Sequence, residues 1–560
     1  MDDRSFAELQ IHDALLGRGF ERDFAQRSKI LYRGVLDKAG ISIPISIEIH
    51  DFNFLVYPVI KIAQHHSLPH RKLPHVLGIQ REVCYYAKGA VILDRYDPAG
   101  TVLQCLDKCE SVIRNAMTGK LDDDLADEFG AYWSSVNSLV DVPINSTGNA
   151  RVKYIRFDPT RKAVPVLAKG SSWLWSRDAV KDKNDKGEFA LIVRTNRALT
   201  INPNTVWPPI NVTELDSWLS WNDRALSGKI QEAIAKSDGT VAILAIKATN
   251  GLFLCRASVP TAYQTTELLK TRRGSLARTL TAIGSKISVE TINSAPADSD
   301  YVFGRNLQGS SNLAGKRILL IGCGTIGSFL AQQLAQCGAG SGNGELTLVD
   351  PDVLYPANLG RHLLGAPYLY VNKATACAEF IQLQLPPLNI RPVPGYAASI
   401  DISSGRYDLV IDATGEEALS IALNHRAVRE RPASPPVLFV WLEGNGAIAK
   451  SFLTSESTQA CLKCLKPALA LSPRHRTLKS DVDIVFERNA ACGEGTFVPF
   501  PVSRSVGAAA LACDHVLDWT NGLQNNRFRS RTFDHAKAYD ISDGSPKPSI
   551  RCPACGSSST

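Results

Sequence analysis

Lys316-Arg317-Ile318-Leu319-Leu320-Ile321-Gly322-Cys323-Gly324-Thr325-Ile326-Gly327 is the stretch on which the fold turns. An apolar run leads straight into Gly-x-Gly-x-x-Gly, and Ser328 to Cys337 reads as a helix. Glu345 to Val349 reads as a second strand and ends in Asp350. The order is strand, glycine turn, helix, strand, acid. The glycines let the backbone turn tightly and approach phosphate, while the helix N-terminus offers free N–H groups and a partial positive charge. Asp350 falls where a ribose hydroxyl needs an acceptor. Taken this far, the pattern defines a nucleotide site with NAD as the default ligand.

The residues that follow argue against NAD. Asn358-Leu359-Gly360-Arg361 and then Lys373 add fixed positive charge near the phosphate turn. Hydride transfer has little use for that charge, whereas attack on the α-phosphate of ATP builds negative charge that needs it. Asp412 ends another apolar strand, Leu409 to Ile411, and a carboxylate there can hold Mg2+ against the triphosphate. Singly, Arg361 and Lys373 read as surface charges and Asp412 as a turn residue. Together and in this order, the functional reading is favoured.

Gly322, Gly324, Gly327, Asp350, Asn358, Arg361, Lys373 and Asp412 together resemble the adenylation domain of ThiF/MoeB and ubiquitin-activating (E1-like) enzymes, over Tyr301 to the C-terminus. The resemblance implies adenylation of a small protein's C-terminal carboxylate by MgATP. Asp350 would bind ribose, Arg361 and Lys373 phosphates, and Asp412 Mg2+. It also implies a homodimer in which an arginine ahead of the first strand reaches the partner's ATP. Arg305 stands in that place.

A chain of 560 residues should hold two to four domains. Its net charge of +7 is small for that size, so neither nucleic acid nor an anionic membrane is expected as a partner. The N-terminus is acidic and lacks the apolar segment of a secretory signal. No stretch is long and apolar enough to span a bilayer. Thirteen scattered cysteines fit a reducing cytoplasm better than a disulfide framework.

Cys461-Leu462-Lys463-Cys464 and Cys552-Pro553-Ala554-Cys555 are two Cys-x-x-Cys pairs. Two such pairs can close a tetrahedral structural Zn2+ site. The rival for either pair is a thioredoxin-like redox motif, but no thioredoxin-like unit surrounds them. Cys492 lies among glycines in Ala491-Cys492-Gly493-Glu494-Gly495, ahead of a helix from about Ser505 to Trp519. A nearby helix N-terminus would lower its thiol pKa. The plain alternative is a buried small hydrophobe. The E1 resemblance implies that Cys492 attacks the acyl-adenylate and forms a thioester.

The N-terminal part reads as a helix over residues 5–18, then strands Lys29 to Leu36, Ile41 to Ile49 and Phe52 to Ile62. An irregular segment, Leu73-Pro74-His75-Val76, precedes Cys84; helices are expected over Thr101 to Ala116 and Leu121 to Leu139. This order resembles the ubiquitin-conjugating (E2-like) fold. His75 and Cys84 are similar to that family's His-Pro-Asn segment and its cysteine. Pro74 precedes His75 here, and no asparagine follows. By resemblance Cys84 carries the acyl group, which calls for an exposed, partly ionised thiol. Otherwise it is a core cysteine at a strand end.

Between them, strands over Arg151 to Phe157, Glu188 to Arg194, Thr240 to Ala248 and Gly251 to Ala257 are expected, the last two joined at Asn250-Gly251. Helices are expected over Val212 to Trp221, Leu226 to Ala235 and Ala262 to Ile283. The expected architecture is therefore α/β and multidomain: an E2-like α+β domain at 1–145, a small α/β linker domain at 146–299, and a Rossmann-like adenylation domain with a zinc knuckle at 300–560.

E2-like before E1-like resembles the fused E2–E1 proteins of bacterial CBASS anti-phage systems, the CD-NTase-associated ligases. That resemblance implies an acyl donor that is the C-terminus of a cGAS-like CD-NTase, a target-protein amine as acceptor, and a JAB-type isopeptidase acting on the product. Two rivals stand beside it. One is a sulfur-carrier adenylyltransferase of the thiamin or molybdopterin type, which would not need Cys84. The other is a non-enzymatic nucleotide-sensing scaffold, which would bind ATP without releasing pyrophosphate.

Overall fold

In the computed structural model, the described residues are 3–24, 30–38, 41–64, 68, 71–78, 80–134, 136–143, 145–170, 172–177, 187–237, 239–264, 279–402, 405–456, 458–468, 473–488, 496–523 and 525–556. They divide into two units, Met1–Pro296 and Ala297–Thr560.

The first unit opens with the helix Asp3–Gly17, whose Ile11 and Leu15 are buried. An antiparallel meander follows: Ile30–Lys38, Ile41–Ile49 and Val59–Ile62. Ile43, Ile45, Ile47 and Ile49 all point into the core, as a period of two dictates. The third strand is shorter than the expected Phe52 to Ile62. Asp51 accepts from the backbone N–H groups of Asn53 and Leu55, and this local turn competes with the ladder. Short strands Val76–Leu77 and Glu82–Val83 extend the sheet and bracket the turn before Cys84. The helix Pro98–Met117 is capped by the Asp97 carboxylate on Gly100 N–H (2.9 Å) and buries Val102, Cys105, Leu106, Cys109 and Ile113 against the sheet.

The single helix expected over Leu121 to Leu139 is replaced by two short ones, Asp124–Asp127 and Phe129–Trp133, and a strand, Asn137–Asp141. Phe129 and Trp133, one turn apart on the second short helix, join Trp207, Trp218 and Phe253 in one aromatic cluster. That strand then enters a closed barrel ordered Glu188–Arg194, Val241–Ala248, Gly251–Ser258, Ser288–Pro296, Asn137–Asp141, Val164–Ala168 and Gly148–Ile155. A boundary at 145/146 thus falls after a strand of this sheet. Val140, Val152, Leu167, Ile192, Ile243 and Leu254 fill the barrel interior. The helices Val212–Asn222 and Lys229–Lys236 cover it outside. Trp218 is core; Trp221 is half exposed. The Asn250-Gly251 reversal does form, and Asn250 Nδ2 donates to Ala126 O (2.6 Å), tying the hairpin tip to the segment beside Cys84. Most of the helix expected over Ala262 to Ile283 lies outside the described residues.

The second unit is a seven-stranded sheet ordered Ile390–Val393, Glu345–Val349, Arg317–Ile321, Leu409–Asp412, Val437–Glu443, Ile448–Thr454 and Phe528–Thr532. The first five strands are parallel; Ile448–Thr454 runs antiparallel to them, and Phe528–Thr532 antiparallel to Ile448–Thr454. Its central strands are apolar throughout because both faces are covered: Ile318, Leu320 and Ile411 on one side, Leu319, Ile321 and Val410 on the other. The order reverses between Arg317–Ile321 and Leu409–Asp412. At such a switch point the loops diverge and leave a crevice beyond the strand ends.

Candidate functional site

The glycine turn sits at that crevice. Gly322 holds φ +88°, and a Cβ there would press Thr414; a Cβ on Gly327 would lie 1.7 Å from Gly322 O. Gly324 faces open space, so its missing side chain leaves room for a ligand rather than for the protein. The helix Gly327–Gln336 starts here. His362, missed in the sequence, buttresses the turn from beneath. Leu364 N–H donates to its Nδ1 (3.1 Å), which leaves Nε2–H to donate to Cys323 O (2.7 Å).

Asp350 is buried at the end of its strand and accepts from Cys323 N–H (2.7 Å) and Asp352 N–H (2.8 Å). Burial pushes its carboxyl up; those two N–H bonds and Lys373 pull the other way. Lys373 is buried and donates to Asp352 Oδ2 (2.8 Å). The Arg361 guanidinium lies 5.5 Å from the Phe497 ring centre. Asn358 is spent locally, its Oδ1 accepting from Tyr355 N–H (2.9 Å). Arg305 is exposed at the end of the helix Ser299–Gly304, over the Tyr301 ring.

Asp412 is almost wholly buried, and burial raises its carboxyl pKa. It accepts from Thr414 N–H (3.1 Å), Thr414 Oγ1 (2.7 Å) and Ser420 Oγ (2.5 Å). A carboxylate has about four lone-pair sites, so one is left for a cation. A buried carboxylate with a raised pKa is the kind that a Mg2+ ion would return to its charged form. Ser420 also lines a cavity of about 330 Å³ with Gly415, Trp441, Lys450, Lys463 and His475.

Cys492 lies outside the described residues. Its flanks pair as Glu487↔Phe497 and Arg488↔Thr496, so both ends of the segment 489–495 come together next to the Phe497–Arg361 contact.

The four cysteines of the two Cys-x-x-Cys pairs do converge. Sγ–Sγ separations are 3.9 Å for Cys461–Cys464, 3.7 Å for Cys461–Cys552 and 3.2 Å for Cys464–Cys555. Four thiolates about 2.3 Å from one Zn2+ stand about 3.8 Å apart, so the donor set fits. Asn424 Nδ2 and Ser549 N–H donate to Cys461 Sγ (3.6 Å) and Cys464 Sγ (3.4 Å).

Cys84 is half-buried where the short strands end, its N–H donating to His75 O (2.8 Å). The partly ionised thiol expected there is not found: burial first, then Glu128 and Glu82, push the Cys84 thiol up. His75 holds φ +60°, a left-handed backbone rare for a side-chain-bearing residue. Its N–H donates to Tyr132 Oη (2.6 Å), Nε2 lies 2.8 Å from Asp124 Oδ2, and Nδ1 3.0 Å from Glu128 Oε1. Asp124, Glu128 and Tyr132 were missed in the sequence. Their spacing of four was the one available signal. Cys84 and Glu128 line an open cavity of about 470 Å³ with Gly251, Phe253 and Asn293.

A Rossmann-type nucleotide unit beside a sulfur cluster, preceded by an α+β domain presenting a cysteine, defines an E1-like activating unit fused to an E2-like conjugating one. Residues 301–534 match the ThiF family and residues 11–141 the prokaryotic E2 family B. The ATP-dependent ubiquitin transferase-like protein Cap2 of Pseudomonas aeruginosa is 34% identical over 87% of each chain. Its namesakes from Escherichia coli and Vibrio cholerae are 26% and 25% identical over 92% and 91% of this chain, and over 95% and 93% of their own. The chain belongs to this Cap2 family. It is an enzyme of ATP-dependent activation and conjugation. Escherichia coli MccB with ATP aligns to 56% of this chain at a TM-score of 0.34. No helix among the described residues is long and apolar enough to cross a membrane.

Proposed function

We propose that ATP activates a protein C-terminal carboxylate in the second unit as an acyl-adenylate. Cys492 takes the acyl group as a thioester, Cys84 accepts it by transthiolation, and a target amine ends the relay. The observation that carries this reading is Cys84 standing half-exposed at an open groove in the same chain as a built nucleotide crevice. ATP sits on Gly322, Gly324 and Gly327. Asp350 takes the ribose, Arg361 and Lys373 the phosphates, and Asp412 offers Mg2+ its remaining lone pair. The cavity that Ser420 lines receives the donor's C-terminal tail, and Ser420 links it to Asp412 by a hydrogen bond. Cys461, Cys464, Cys552 and Cys555 hold a structural Zn2+.

By family likeness the acyl donor is the C-terminus of a cGAS-like CD-NTase and the setting is cytoplasmic CBASS defence, with a JAB-type isopeptidase reversing the link. The active form is a homodimer in which Arg305, exposed at its helix end, reaches the partner's ATP.

The test is MgATP, the full chain and the protein encoded next to it, run on a non-reducing gel. Wild type should give a thiol-sensitive adduct; Cys492→Ala should abolish it. Cys84→Ala should keep the Cys492 thioester and lose the conjugate. Full activity in Cys84→Ala would favour a sulfur-carrier type of activation. ATP binding with no pyrophosphate release would favour a scaffold.

A further inference from the structure

Beside Cys84 the fold gathers more ligand chemistry than acyl transfer requires. A ring nitrogen of His75, the Cys84 Sγ and a Glu128 carboxylate oxygen all lie within 4.8 Å of one another. Around one tetrahedral Zn2+, a sulfur at about 2.3 Å and a nitrogen at about 2.0 Å stand about 3.5 Å apart. Modest side-chain movement closes that difference.

The orientation of His75 is the second observation. Its Nε2 faces Asp124 Oδ2 at 2.8 Å, the carboxylate backing that fixes the tautomer of metal-bound histidines and leaves the other nitrogen as the lone-pair donor. That other nitrogen, Nδ1, is buried and makes no aligned hydrogen bond, although Glu128 Oε1 is 3.0 Å away. At 3.0 Å these two atoms pair across a proton, and a divalent cation bound between them would take that proton's place. Tyr132 Oη donates to Glu128 Oε2 (2.9 Å) and holds the carboxylate's far oxygen. Cys84 and Glu128 both line the open cavity, from which water can reach them.

We propose that His75, Cys84 and Glu128 form a second, three-ligand site for a divalent metal of the zinc class, and that a bound metal caps Cys84 against acyl transfer. Binding releases to solvent the Cys84 thiol proton and the proton between His75 Nδ1 and Glu128, and forms metal–sulfur, metal–nitrogen and metal–oxygen bonds; a chelator reverses it. The capping part rests on Cys84 being the conjugating thiol, but the metal binding does not.

Co2+ added to the full chain, with Zn2+ already in the four-cysteine site, tests it. Wild type should take up one further Co2+ with a thiolate-to-cobalt charge-transfer band, and Cys84→Ser should lose both. Asp124→Asn, close to isosteric, should weaken binding by about 10–100-fold, and Glu128→Gln, which removes a ligand, by at least as much. No added uptake, or a band that survives in Cys84→Ser, overturns the site. Stoichiometric Zn2+ should also suppress the Cys84 adduct while the Cys492 adduct persists; an undiminished Cys84 adduct overturns the capping. A chain that takes up Co2+ but never carries an adduct on Cys84, even without added metal, would sink the relay and leave the metal site standing.

Discussion

The hydroxyls of Thr325 and Ser505 meet at 2.7 Å. Thr325 Oγ1 also donates to Arg361 O (2.7 Å), and Ser505 is fully buried near the start of the helix Val502–Thr520. One hydroxyl thereby joins the phosphate turn, the Arg361 segment and the helix that follows the Cys492 segment. Ser505→Ala and Thr325→Val should each cost about 1 kcal/mol. Because they share one bond, the double variant should lose less than the sum, with a coupling of about 0.5–1.5 kcal/mol in denaturant unfolding. Strict additivity would show that the contact contributes nothing.

The three glycines of the turn should fail differently. Gly327→Ala puts a Cβ 1.7 Å from Gly322 O, so the turn must move; a loss of about 4 kcal/mol is expected. Gly324→Ala meets no atom within 4 Å, so stability should change by no more than about 1 kcal/mol. Its ATP affinity should still drop about tenfold or more, since the methyl occupies the ligand's approach. Melting with and without ATP separates the two outcomes.

The proposed zinc should hold the C-terminal segment to the sheet. Cys552→Ser should release one zinc per chain by elemental analysis. A stability loss of about 3 kcal/mol would lower the melting temperature of a domain this large by roughly 6–12 °C. Unchanged zinc content in this variant would count against the four-cysteine ligand set.

His515 gives the second unit an acid-sensitive core. It is buried on the helix Val502–Thr520, with Nδ1 2.8 Å from Ser451 Oγ. Burial, then Arg529 and Arg527, push its pKa down to about 3. The unfolded imidazole protonates near its ordinary value of about 6.5 while the folded one stays neutral. Between those values the unfolded state binds more protons, so stability rises with pH and is lost as pH falls below about 6.5. The slope is at most about 1.4 kcal/mol per pH unit. His515→Gln should flatten it in denaturant unfolding between about pH 7 and 5.

Local conformation was legible wherever one strong rule applied. Period-two alternation placed Ile41–Ile49, and Asn-Gly placed the reversal between Val241–Ala248 and Gly251–Ser258. The rule failed where two local preferences competed. Asp51 shortened a strand by capping its own backbone, and residues 121–139 were read as helical although Phe129 and Trp133 answer to an aromatic cluster built by distant residues. The barrel was not visible because Val164–Ala168 is short and Ser288–Pro296 pairs with Asn137–Asp141, far back along the chain.

By itself, then, the sequence determined the class of each half. A glycine turn and paired Cys-x-x-Cys motifs demand specific residues within a few positions, and such spacing survives without knowledge of the fold. Only the tertiary structure decided what surrounds the reactive groups. Asp412 gained Thr414 and Ser420, and the His75–Cys84 pair gained Asp124, Glu128 and Tyr132. The physical reason is that a buried polar group must find partners wherever packing brings them. Around Cys84 that packing is the docking of residues 124–133 against the barrel and its Asn250 turn, a contact that no local spacing encodes.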